Sequence, residues 1–195
     1  MLFRSAGSRG RELVTIIDEE LDRFQSLLSD AIQMLRIDAG DFAVHRHRHD
    51  LGAIVDGTLN RFERRLEGHD VKRRIPAGLT VDADRDLVSL ALRQLLDNAL
   101  KYSPPTSTIE ISAAANGTVE LAIRNSGSII PESERPRVVE RFYRGAKARS
   151  IPGTGMGLTI VQQIAHAHGG TLSLASAVET GTTFTLTLPR AGSEE

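Results

Sequence analysis

Residues 84–105 constrain this chain more than any other stretch. Leu92, Leu95, Leu96, Ala99 and Leu100 fall at three- and four-residue spacing, which places them on one face of a helix. Ser103-Pro104-Pro105 ends that helix, because the residue before a proline is pushed out of the helical region. Gln94, Asn98 and Lys101 lie at i, i+4 and i+7 and so form a second line, flanked by Asp97 and Tyr102. A helix of this kind buries one side and leaves a carboxamide, a carboxylate and an ammonium on its rim. An amide oxygen can ligate a hard cation such as Mg²⁺, and an ammonium can neutralise phosphate. An ordinary amphipathic helix with a polar outer face reads the same residues, and this stretch alone favours that plainer reading.

Gly153-Thr-Gly155-Met-Gly157-Leu158 shifts the balance. Glycines at alternate positions ahead of the apolar-periodic stretch Thr159–His168 let backbone approach an anion and aim N–H groups at it. A dinucleotide-binding unit would want a strand just before the glycines and an acidic residue about twenty positions later. The preceding Arg144–Pro152 is basic and loop-like, and no Gly-Lys-Ser/Thr follows, so neither that unit nor a P-loop fits.

Composition bounds the rest. The 195 residues suffice for one sizeable core plus an appended element, or two small domains. Hydrophobic content of 40% and charged content of 25% are ordinary for a globular protein. A net charge of −1 gives no electrostatic reason to expect nucleic acid or a membrane surface as a partner. Without cysteine there is no disulfide, thiolate metal site or cysteine nucleophile, and a reducing cytoplasm is compatible. No apolar run reaches the roughly eighteen residues of a membrane span. Lysine occurs only at Lys72, Lys101 and Lys147, so its presence beside Asn98 is suggestive.

Residues 1–10 lack periodicity and read as a frayed end. Arg11–Asp38 reads as one long helix whose Leu13, Ile17, Leu21, Phe24, Leu28, Ala31 and Leu35 alternate steps of four and three, with Gly40 as a stop. Such a stripe needs a partner helix, and its length suits a bundle dimer better than packing on its own domain. His45-Arg-His-Arg-His49 would put three imidazoles on one face of a strand; metal chelation and an exposed edge strand are the two readings, and the scarcity of further ligands favours the edge strand. Asp50 caps a helix running to about Arg65. Asp70–Ile75 and Leu79–Asp82 read as short strands, and Thr108–Ala114 and Thr118–Arg124 as a hairpin with a two-residue Asn116-Gly117 turn. Pro131–Arg141 suggests a short helix, Gly145–Pro152 a lid, and Thr171–Ala177 with Thr182–Leu188 a second hairpin. Helices interleaved with mostly antiparallel strands predict an α+β fold, a two-layer α/β sandwich with the long helix ahead of it.

Taken together, Asp97-Asn98-Ala-x-Lys101-Tyr102-Ser103, Asn125-Ser-Gly127-Ser-Ile-Ile-Pro131, Glu140-Arg-Phe142-Tyr-Arg144, Gly153-Thr-Gly155-Met-Gly157-Leu158 and Glu179-Thr-Gly181-Thr-Thr-Phe184 resemble, in order, the N, G1, F and G2 boxes and closing Gly-Thr hairpin of sensor histidine kinases. That ATP-binding domain belongs to the superfamily shared with gyrase, Hsp90 and MutL, and the match spans about residues 70–189. The resemblance implies an ATP-binding catalytic domain at 41–190, a partial dimerisation and phosphotransfer helix at 11–40 and a tail at 191–195. It implies Mg·ATP as cofactor and in-line transfer of the γ-phosphoryl to a histidine, then relay to an aspartate on a response-regulator receiver domain. The histidine kinase setting His-Glu-x-x-Thr/Asn-Pro does not occur here, and the six histidines all lie outside the N-terminal helix. The resemblance therefore implies a fragment of a longer kinase that does not phosphorylate itself. It further implies a homodimer through the N-terminal helix and a cytoplasmic domain, in a parent often anchored in the inner membrane.

By that resemblance Asn98 and Gln94 are the metal ligands, and Lys101 and Gly153, Gly155 and Gly157 meet the phosphates. Tyr102 lies along adenine or ribose, Arg144 reaches the γ-phosphate, and Asp97 orders the metal's waters or assists proton removal. Phe142 anchors the lid by packing, and Asn125, Gly127, Thr154, Leu158 and Thr182 complete the nucleotide-binding set. Three positions depart from the pattern. Asn125 replaces an aspartate that accepts the adenine amino hydrogen, Ile129 replaces a glycine, and Gln94 replaces a second metal-binding asparagine. An amide oxygen still accepts, though without the charge that roughly doubles such a bond, so modest affinity is expected. Two rivals stay open: another enzyme of the fold, such as an anti-sigma serine kinase or an ATP-driven clamp, and a non-catalytic nucleotide-sensing or dimerisation module.

Overall fold

A computed structural model describes residues 43–127, 129–145, 148 and 151–191, with ten N-terminal positions: Gly10, Leu13, Val14, Ile17, Leu21, Phe24, Leu28, Ala31, Ile32 and Leu35. The expected frayed end at 1–9, the Gly40 stop, Ser128, lid positions 146, 147, 149 and 150 and the tail at 192–195 lie outside the described residues. The chain divides into two units, Met1–Asp41 and Phe42–Glu195. In the first, the ten described positions are helical, and Leu13, Ile17, Leu21, Phe24, Leu28 and Leu35 are each more than half exposed.

The second unit runs β1 (His47–Asp50), α1 (Leu51–Leu66), β2 (Asp70–Arg74), β3 (Thr80–Ala83), α2 (Arg85–Tyr102), β4 (Thr108–Asn116), β5 (Thr118–Asn125), a 3₁₀ turn at Glu132–Arg137, α3 (Gly157–Ala167), β6 (Leu172–Ala177) and β7 (Gly181–Pro189). One sheet has the order β2-β4-β5-β7-β6, parallel between β2 and β4 and antiparallel elsewhere; β1 and β3 form a separate antiparallel pair. Alternation assigns the faces of the large sheet. Ile109, Ile111, Val119, Leu121, Ile123, Phe184, Leu186 and Leu188 are buried on one side, where helices cover them, and Thr183, Thr185 and Thr187 of β7 alternate outward. This is the two-layer α/β sandwich that the pattern predicts.

Helix α2 is the hub. It packs on α1, α3 and β5 and buries Val88, Leu90, Ala91, Leu92, Leu95, Leu96 and Ala99. Each fully buried leucine contributes about 1.5–3 kcal/mol of transfer free energy. Its start is fixed by Asp84, whose Oδ1 accepts from the N–H groups of Asp86 at 3.0 Å and Leu87 at 3.2 Å, and whose Oδ2 accepts from the His45 N–H at 3.1 Å. The N–H of Asp84 itself donates to Nε2 of His168, at the far end of α3, at 2.9 Å. Nδ1–H of His168 donates to the Ile164 carbonyl at 2.8 Å, so this fully buried ring is a neutral tautomer with both nitrogens used.

Several local expectations are refined. Gly117, at φ 76°, alone turns the β4–β5 hairpin, with Asn116 paired to Thr118; the expected two-residue turn is one residue shorter. The Pro131–Arg141 helix is only a 3₁₀ turn, since Pro136 inside it has no N–H to continue an α-helix. His47 and His49 lie in β1 paired to β3, and among the described residues no group of three metal-binding side chains forms. Among the described residues no helix is long and apolar enough to cross a membrane.

Burial, the larger cause, pushes the His168 pKa below the usual histidine value, with nearby Arg46 acting in the same direction against Asp84, Asp82 and the Ile164 carbonyl. Between that lowered value and the ordinary pKa of about 6.5 the unfolded chain binds more protons, so stability falls as pH falls through this window. Denaturant midpoints should hold above about pH 6.5 and decline below it. His168→Gln, which retains an acceptor and cannot titrate, should remove this component.

Candidate functional site

The polar line of α2 runs beside the glycine loop. A Cβ added at Gly157 would meet Oε1 of Gln94 at 2.6 Å, and one at Gly153 would have Nζ of Lys101 as its neighbour at 3.9 Å. The two ends of the line therefore face the two ends of the loop, and Asn98, one turn from Gln94 and on the same line, lies between them. At the loop's centre Gly155 has φ 73°, and a Cβ there would sit 2.8 Å from the Phe142 carbonyl carbon and 2.9 Å from the Tyr143 oxygen. Only glycine fits that crossing. Helix α3 begins at Gly157 with no side-chain cap; Oγ1 of Thr154 accepts from the N–H of Met156 at 3.1 Å, one residue ahead of it. Leu158 follows in the first turn of α3. The first N–H groups of α3 thus stand next to Gln94 and carry the positive end of the helix dipole.

The charged groups are engaged with one another. Asp97 receives Nζ of Lys101 at 2.5 Å on Oδ2 and Nη2 of Arg65 at 2.5 Å on Oδ1. Arg144 donates to the carbonyls of Ala148 and Ile151, so it ties the lid to its own stem. Tyr102 is half-buried; burial raises its hydroxyl pKa above the usual value, with Asp97 acting the same way and Arg144 in opposition.

The end of β5 supplies the other wall. Asn125 is 2% exposed, and its Nδ2 makes no hydrogen bond among the described residues. A buried amide donor left unmet costs about 1–3 kcal/mol, so a retained one points to a polar ligand. Gly127 is pressed against the end of α2: a Cβ there would lie 1.8 Å from the Tyr102 carbonyl oxygen and 2.9 Å from Nδ2 of Asn125. Thr182, opposite Asn125 in the register of β7, is buried, with its hydroxyl 2.8 Å from that of Ser176. Lys101, Tyr102 and Gly127 also line a cleft of about 600 Å³ completed by residues 178–181. That cleft excludes Asn98, Asn125 and the glycine loop, so it adjoins the site and does not define it.

Two expectations change. Phe142 does not pack as an anchor: the residue is 68% exposed, its φ is 61°, and its N–H donates to the Gly155 carbonyl at 3.1 Å. The left-handed backbone that closes this bond turns the ring to solvent, at a cost of about 1–2 kcal/mol. Ile129, in place of a glycine, needs no such backbone, since Thr106 and Phe142 are the only described non-glycine residues with positive φ. Sequence reasoning missed Arg65, and it missed Ser176, whose Oγ accepts from the N–H of Ile130 at 3.0 Å while its carbonyl accepts from Arg135 at 2.5 Å. Neither lies in a motif, and only the fold brings them near Asp97 and Thr182.

Gly127→Ala should therefore destabilise the protein by about 1–3 kcal/mol, because the clash is with backbone that cannot swing away. Gly153→Ala, whose new methyl would touch only the tip of Lys101, should leave the unfolding free energy within about 0.5 kcal/mol of the parent.

The family described as histidine kinase-, DNA gyrase B-, and HSP90-like ATPase matches residues 83–192. The sensor-like histidine kinase SenX3 of Mycobacterium tuberculosis (strain H37Rv) is 35% identical over 175 residues, covering 87% of this chain and 43% of SenX3, so the chain spans less than half of that relative. Among solved structures, a mycobacterial sensor histidine kinase MprB is 34% identical with a TM-score of 0.69, and the match covers 74% of this chain and 98% of that one. Full-length ShkA in complex with AMPPNP superposes with a TM-score of 0.79 at 22% identity, over 95% of this chain and 40% of that one, a likeness of fold. The chain belongs to the histidine kinase-, DNA gyrase B- and HSP90-like ATPase family, as a catalytic domain of the sensor histidine kinase type.

Proposed function

We propose that this chain is the ATP-binding kinase core of a two-component sensor kinase. It would place the γ-phosphoryl of Mg·ATP for in-line transfer to a histidine, for relay to a receiver-domain aspartate. The observation that supports the reading is the line of Gln94, Asn98 and Lys101 on α2, with Gln94 beside Gly157 and Lys101 beside Gly153, which brings amide oxygens, an ammonium and backbone N–H groups close together. The donor set suits the ligand: hard amide oxygens at Asn98 and Gln94 for Mg²⁺, cations at Lys101 and Arg144 for phosphates, and the unmet amide of Asn125 for the adenine edge.

Each side chain then has a physical task. Asn98 and Gln94 hold the cation from one face of α2. Lys101 neutralises phosphate charge, and Gly153, Gly155 and Gly157 offer N–H groups without steric obstruction. Tyr102 lends an apolar ring beside the base or ribose, with Gly127, Leu158 and Thr182 closing the base end. Thr154 shapes the turn into α3 through Met156, and Phe142 holds the loop through its backbone bond to Gly155. Arg144, released from the lid carbonyls, would reach the transferring group; Asp97 would orient the cation's waters or take the proton of the incoming histidine. Bound Mg·ATP supplies the phosphoryl group, and positioning with charge stabilisation supplies most of the rate.

The same reading makes the exposed seam Leu13–Leu35 the contact of a homodimer, names a response-regulator receiver domain as partner, and sets the domain in the cytoplasm. Calorimetric titration with a non-hydrolysable ATP analogue should give micromolar-to-submillimolar, Mg²⁺-dependent binding. Asn98→Ala should weaken it by at least about tenfold, or roughly 1.4 kcal/mol. Binding that ignores Mg²⁺ and survives in Asn98→Ala would overturn the site as drawn. Transfer from ATP to a separately supplied histidine-bearing hairpin would test the kinase step itself.

A further inference from the structure

We infer that Arg65, on α1 and outside every family motif, is a positioning residue for the nucleotide site: it holds Asp97 in place so that Lys101 can leave it for phosphate. This rests on the nucleotide reading above.

The geometry is a three-membered charge chain. Asp97 shares its two oxygens between Arg65 at 2.5 Å and Lys101 at 2.5 Å, one cation from each helix. Arg65 is held from two further directions. Its guanidinium carbon lies 5.0 Å above the ring of Phe62, itself buried, and it stands in the last turn of α1, where a cation meets the negative end of the helix dipole. Lys101 likewise stands in the last turn of its helix, but among the described residues no ring lies beneath its ammonium, and its Nζ already lies on the Gly153 side. The arrangement is asymmetric: Arg65 is seated, and Lys101 is the cation able to transfer.

The consequence is electrostatic. When Lys101 turns to a polyphosphate it abandons a carboxylate that is only 23% exposed and now faces incoming negative charge. With Arg65 in place that carboxylate keeps a partner, and its Oδ1 stays fixed while Oδ2 is released toward the site. Without Arg65 the same move would strand an anion beside phosphate, so Lys101 would stay with Asp97. The worth of the Arg65–Asp97 pair to folding is small, since Arg65 is 52% exposed and water screens it. Its worth to binding is larger, because it sets what Lys101 gives up.

The test is a double-mutant cycle in the whole chain, with Mg²⁺ and a non-hydrolysable ATP analogue as the probe, calorimetry for affinity and thermal unfolding as control. Arg65→Gln should weaken binding roughly threefold to tenfold, within the coupling range of contacting residues, with the unfolding midpoint kept. Arg65→Lys should recover most of the loss, since it restores the charge. Introducing Arg65→Gln into Asp97→Asn should cost nothing further, because the neutral amide no longer holds Lys101 or repels phosphate. Parent-like binding by Arg65→Gln overturns the inference while leaving the nucleotide site intact. So does an undiminished loss in the Asp97→Asn background, which would assign Arg65 a direct or merely structural role. Absence of binding by the parent chain removes the nucleotide reading and this inference with it.

Discussion

One helix has to meet two opposed demands, and the rest of the catalytic unit follows from how α2 does so. Its 18 residues bury a nearly continuous apolar face against α1, α3 and β5, yet must hold Gln94, Asn98 and Lys101 in a line at the edge of that burial. The first demand fixes the axis of the helix, since a sheet face and two helices allow a single seating. The second then comes without further cost, because side chains three and four apart share a face whatever the surroundings. Asp84 sets the start of the helix by capping it and by bonding both His45 and His168, so the segment before β1 and the end of α3 are tied to the same residue.

Much of this was legible in the chain. Period 2 in β5 and β7 and the three- and four-residue steps of α2 assign faces correctly because burial on one side acts on every residue alike. Asp50 is readable as a cap because its short carboxylate reaches the first N–H groups of α1. Gly155 is readable as a necessity of backbone approach. What escaped has a common cause: it depends on elements that meet only in three dimensions. Arg65 reads as part of an ordinary charged helix end, and nothing local announces that Asp97, thirty-two residues on, will face it. Ser176 is one small polar residue in an alternating strand, and its service to Ile130 and Thr182 exists only once the second hairpin has folded back.

The exposed Phe142 shows the opposite failure, in which a residue type suggested the wrong interaction. An aromatic ring beside a lid invites a packing role, but the decisive atom there is its N–H, and the ring goes where the left-handed backbone sends it. Asn125 is different again. In the sequence it is a weaker version of an acidic residue; the structure adds that its amide is buried and unmet, a cost the fold bears at the end of β5.

The meeting of Gly127 with the Tyr102 carbonyl also reaches beyond stability. It places the end of the helix that carries Lys101 and Tyr102 in direct register with the turn that follows Asn125, backbone to backbone. The separation between the last turn of α2 and the end of β5 is therefore set by main chain and does not change with side-chain rotamers. A side chain at 127 could be accepted only by moving the helix end itself, so the spacing of Lys101 and Tyr102 from the end of β5 is held wherever that contact holds.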